Sequence, residues 1–67
     1  MKRAIKLDAL QKWVCCERGD DSLWRVACRT LGYGIGKTPQ EAVNDASRHG
    51  GFPAFAQFRT KREALAS

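Results

Sequence analysis

From Leu23 to Thr30, apolar and polar residues alternate: Trp24, Val26, Cys28 and Thr30 fall on one face, and Arg25, Ala27 and Arg29 on the other. A period of two is what a strand with one covered face requires, so Trp24 and Val26 are predicted core. Upstream, Trp13-Val14-Cys15-Cys16-Glu17-Arg18 is also β-compatible. The polar cluster Gly19-Asp20-Asp21-Ser22 separates the two runs, which is a hairpin signature. Downstream, Gly32-Tyr33-Gly34-Ile35-Gly36 puts Tyr33 and Ile35 on one face between glycines that allow a bend or bulge, and reads as a short third strand.

The pattern changes period at Thr38-Pro39-Gln40-Glu41. A threonine hydroxyl in the capping position, proline at the first helical position and a glutamate that can bond back to the cap amide together predict a helix start. Ala42, Val43 and Ala46 form its apolar stripe, small enough for close approach to a sheet. Gly50-Gly51 supplies the stop, with Arg48 and His49 at the negative end of the dipole. Beyond it, Phe52, Phe55 and Phe58 recur at helical spacing, whereas Ala54, Ala56 and Phe58 alternate as a strand would. Either way the three phenylalanines are predicted to be buried. Thr60-Lys61-Arg62-Glu63-Ala64 repeats the Thr-x-x-Glu-Ala start on a piece too short for an isolated helix. A docked terminal turn, a helix completed in a dimer and a frayed end all fit it. In residues 1–12, Ile5, Leu7 and Ala9 alternate, while Leu7, Leu10 and Trp13 or Val14 recur helically. The reading adopted is a short helix or irregular lead-in.

These elements predict one α+β domain over residues 1–67. It comprises a lead-in (1–12), a three-stranded antiparallel sheet (13–18, 23–30 and 32–36), a covering helix (38–49) and an aromatic, basic C-terminal segment (52–67). A chain of 67 residues has room for one hydrophobic core, so support from self-association as a homodimer is consistent with its size. At 43% hydrophobic and 28% charged residues the composition is globular rather than disordered.

The formal charge of +5 is concentrated at the two ends. Residues 1–12 carry Lys2, Arg3, Lys6 and Lys12 against Asp8, and residues 55–67 carry Arg59, Lys61 and Arg62 against Glu63. The middle of the chain is balanced. Clustered cations that displace counterions from phosphates are one expectation; solvated ends that maintain solubility are the other. No apolar run approaches the ~20 residues of a membrane span, and charge interrupts the first eight residues before any signal-peptide core. Three cysteines, two of them adjacent, suit a reducing cytoplasm, where they serve as small buried hydrophobes.

Candidate chemistry narrows the field further. Gly32-Tyr33-Gly34-Ile35-Gly36-Lys37-Thr38 ends like a phosphate-binding loop, but that loop needs glycine where Leu31 stands. Cys15 and Cys16 point to opposite faces of a strand, and no Cys-x-x-Cys or His-x-x-x-His spacing occurs, so neither metal nor cofactor is expected. His49 has no nucleophile and orienting acid beside it in the sequence, and the chain is expected to be non-enzymatic.

Residues 24–47 resemble the second half of a double-stranded-RNA-binding domain. Trp24, Val26 and Cys28 lead into Gly34-Ile35-Gly36-Lys37-Thr38, then Ala42, Ala46 and Ser47, at the spacing of that family's strand, Gly-x-Gly-x-Ser turn and small-residue helix. The positions of that family's phosphate-gripping helix lysines are Pro39, Gln40 and Val43 here, so what the resemblance implies is shape. The hairpin, Gly-x-Thr-Pro-x-Glu-Ala turn and helix are similar to the HicB antitoxin fold. Phe58-Arg59-Thr60-Lys61-Arg62-Glu63-Ala64 looks like the strand-to-helix junction of three-stranded DNA-binding domains in phage integrases. All three imply a small antiparallel sheet with one helix.

The leading functional expectation is binding of nucleic acid or a nucleoprotein complex. Arg25 and Arg29 would act on the outer sheet face, and Lys2, Arg3, Lys6, Arg59, Lys61 and Arg62 at the chain ends. The rival is a small phage-type accessory or inhibitor protein that clamps a host protein complex through aromatic and arginine anchors.

Overall fold

A computed structural model describes residues 1–26 and 34–66. The chain is α+β. Four strands, β1 (Lys2–Leu7), β2 (Lys12–Arg18), β3 (Trp24–Val26) and β4 (Ile35–Gly36), pair antiparallel in chain order. Helix α1 (Pro39–Arg48) follows, then a 3₁₀ turn (Ala54–Ala56) and a short helix α2 (Lys61–Ala66). The sheet therefore has one strand more than the sequence pattern predicts. The addition is β1, where a short helix or irregular lead-in is expected. Its backbone pairs with β2 from Lys2↔Glu17 to Leu7↔Lys12, and this register sets Ile5 opposite Val14, so Ile5 and Leu7 join the main core. Local spacing fits helix and strand equally there, and the long-range ladder decides.

The predicted hairpin closes with Arg18 opposite Trp24. Asp21 Oδ1 accepts the Leu23 amide and Ser22 takes a left-handed φ of 66° within the turn. The continuation predicted to residue 30, with Cys28 and Arg29, and the start of the predicted strand 32–36 lie outside the described residues.

Thr38 caps α1 as its sequence predicts, its hydroxyl accepting the Glu41 amide at 3.1 Å. Glu41 bonds back one residue earlier than predicted, to the Lys37 amide at 2.9 Å rather than to the cap's own. The predicted stop also forms. Gly50 and Gly51 take φ of 117° and 83°, and the Gly51 amide returns to the Ala46 carbonyl, a closure that favours glycine.

Along one sheet face Val14, Cys16, Trp24 and Val26 meet Ala42, Val43 and Ala46 of α1, with Ile5, Leu7 and Phe52 partly buried beside them. α1 lies chiefly over β3 and β4. Its close approach is written into the glycines. A Cβ on Gly34 would overlap the Ala42 carbonyl oxygen and come within 2.5 Å of the Ala46 nitrogen, and one on Gly36 would lie 2.5 Å from Glu41 Cβ. Gly34 and Gly36 thus serve helix packing.

Residues directly opposite in an antiparallel ladder share a face, so Ala4, Lys6, Trp13, Cys15, Glu17, Arg25 and Ile35 belong to the other side of the sheet. Cys15 is buried there, and so are Ala56 and Ala64, all outside the α1 cluster. α2 supplies the cover, resting against β1 and β2 with Thr60 as its cap. Of the readings open to the terminal segment, the docked turn is the one observed. Of the three phenylalanines predicted to be buried, Phe52 and Phe58 are partly buried and Phe55 is 65% exposed, because the 3₁₀ turn aims the small Ala56 inward instead.

Gly34→Ala should cost about 2–3 kcal/mol, since the obstructing atoms are helix backbone and cannot rotate away. Urea unfolding will show this as a lower midpoint at an unchanged slope.

Candidate functional site

The cations predicted to form a site separate into groups once the faces are known. Lys2 and Lys6 share the α2 side of β1, whereas Arg3, between them, alternates to the α1 side. Arg59 precedes α2, and Lys61 and Arg62 form its first turn. Because α2 rests on β1 and β2, cations from the two ends of the chain are brought to one side of the molecule. Lys2, Arg3, Lys6, Arg59, Lys61 and Arg62 are all exposed. Among the described residues, Arg3, Lys6, Arg59, Lys61 and Arg62 take part in no ion pair. The acids in this region are Glu17, opposite Lys2 in the pairing register, and Glu63 in the first turn of α2.

Arg25 differs from these. Both outer nitrogens of its guanidinium hold Asp21, at 3.1 and 2.7 Å, in a bidentate pair across the hairpin turn. It is a turn clamp before it is a surface cation. Its predicted companion, Arg29, lies outside the described residues. The hydrogen bonds from Arg25, with the Leu23 amide second, hold the Asp21 carboxyl well down, at about 2.

Among the described residues, Cys15 and Cys16 lie within β2 and His49 lies at the end of α1. Cys16 faces α1, where its thiol donates to the Pro39 carbonyl at 3.7 Å, and Cys15 faces α2. Burial, with Cys15 adjacent, pushes the Cys16 thiol up to about 12. His49 closes α1, its Nδ1 within 2.9 Å of the Asp45 carbonyl and 3.3 Å of its carboxylate. Asp45 also accepts the edge amide of Ile35 at 3.0 Å, tying the helix to β4. Among the described residues no three His, Cys, Asp or Glu side chains converge to hold a metal ion. No helix among them is long and apolar enough to cross a membrane.

Sequence reasoning missed two side chains on the cationic side, Trp13 and Phe58. Their backbones exchange both hydrogen bonds, at 2.7 and 2.8 Å, as an isolated antiparallel bridge. The available signal was the unbroken run Trp13-Val14-Cys15-Cys16. A strand without alternation is covered on both faces, which implies a second layer.

Two outcomes follow. Asp21 is lowered from its ordinary 3.8, so the clamp's contribution is complete above that pH and disappears as pH falls through about 2. Asp21→Asn should lower the melting temperature near neutrality, and the difference from the parent should close below pH 2 in thermal scans. Cys15 and Cys16 should resist alkylation in the folded protein and label only in denaturant, as peptide mass mapping will show. No family model, curated protein or solved structure matches this chain, so its function is read from its own surface.

Proposed function

We propose that this chain is a non-enzymatic binding protein that engages nucleic acid, free or within a nucleoprotein complex, through the cationic side formed by β1 and α2. The supporting observation is the docking of α2 against β1 and β2, which gathers Lys2, Lys6, Arg59, Lys61 and Arg62 from opposite ends of the sequence. Dispersed, such residues are ordinary solvated charges. Gathered on a small body, they give a field that attracts a polyanion and release counterions when phosphates replace them. Arg3 alternates to the α1 side of β1, off this surface, and Arg25 is secondary because Asp21 already neutralises it.

A second reading has its own observation. Phe55 and Leu10 are 65% and 50% exposed, and large apolar side chains at the surface suit anchoring to a protein partner. A host protein complex clamped by an accessory or inhibitor protein of this size would use them.

Salt separates the two readings. Affinity for generic oligonucleotides should fall log-linearly with salt, with a slope of roughly −3 to −4 if four or five phosphates are neutralised. Lys61→Gln and Arg62→Gln should each reduce the slope by about 1 and weaken all sequences alike. Retention on a partner after nuclease treatment, unaffected by these changes and lost in Phe55→Ala, would transfer the function to the apolar surface.

A further inference from the structure

The cationic side contains aromatic rings in a definite order. Lys6 of β1 stands directly across from Trp13 of β2, and Trp13 is bridged on its other side to Phe58. Directly opposed residues project from the same face, so the three side chains form a row across three adjacent backbones, spanning roughly 10 Å. The face is the one away from α1, since Trp13 alternates with Val14 of the main core. Trp13 and Phe58 each keep part of their surface exposed and neither belongs to that core. Arg59 follows Phe58 directly, and Lys61 begins α2 two residues later.

Cations alone do not distinguish one phosphate backbone from another. Partly exposed rings beside them do, because every unpaired base has a face to stack, and in a duplex those faces are already occupied. We infer that the row Lys6, Trp13 and Phe58 is a stacking platform for single-stranded nucleic acid, with Arg59, Lys61 and Arg62 on its phosphates. This rests on the cationic side being a nucleic-acid surface and specifies which form it takes. Trp13 and Phe58 are also partly buried, so a role confined to packing must be told apart by a readout that packing does not move.

The molecule provides an internal control. Its two tryptophans lie on opposite faces, Trp24 buried beneath α1 and Trp13 on the cationic side. The full chain, labelled with nitrogen-15, is titrated at about 50 mM salt with an oligothymidylate and with a duplex of equal phosphate number. The Trp13 indole signal should move with the single strand while that of Trp24 stays, and the single strand should bind about tenfold more tightly than the duplex. Trp13→Phe should keep most of this preference. Trp13→Ala, checked for folding by the unchanged Trp24 signal, should lose it while retaining duplex binding. Equal affinity for both oligonucleotides with a stationary Trp13 signal would overturn the platform and leave the electrostatic reading intact. No binding of either at this salt would overturn both.

Discussion

The structure depends on how closely one helix can lie on an edge strand. α1 approaches β4 at backbone distance because Gly34 and Gly36 carry no Cβ and because Ala42 and Ala46 face them. In so small a protein, that approach brings Trp24, Val26, Val14 and Cys16 under one helix rather than around a void. The Asp45 carboxylate strengthens the join by accepting the Ile35 amide, which would otherwise stand unpaired on the edge of the sheet. Proline, threonine and glutamate at the start of α1 and the glycine pair at its end fix the length over which this contact runs.

With one face closed by α1, the other is free to be covered differently on its two halves. α2 and the 3₁₀ turn close the part over β1 and β2, where Cys15, Ala56 and Ala64 are buried. Toward β4, Ile35 stays 44% exposed beside the clamped Arg25. β2 is therefore enclosed on both sides, which is why Val14, Cys15 and Cys16 are buried in succession. The same offset places α2 and its cations beside those of β1. The candidate surface is thus a by-product of how the second layer closes.

Much of the fold was legible where local chemistry and periodicity agreed. The alternation at Trp24 and Val26, the hairpin cluster at residues 19–22, and the cap and stop of α1 each have a mechanism acting within a few residues, and each appears in the structure. The site was less legible. Arg25 looked like a free outward cation because its partner, Asp21, is brought to it only by the turn. Trp13 and Phe58 lie 45 positions apart, and nothing local announces that their backbones meet. β1 was ambiguous for the same reason: its hydrogen bonds go to another strand, and its own residues suit two periods.

The sequence by itself determined the α+β class, the helix and its ends, the covered face of the hairpin and the concentration of charge at both ends of the chain. Those are consequences of short-range sterics, capping and side-chain period. Tertiary structure alone decided that the N-terminal segment is a strand, that the terminal helix turns back onto it, and that distant cations and rings share one side. Such choices are settled by burial and by backbone pairing between segments far apart in the chain, interactions that do not exist until the chain has folded.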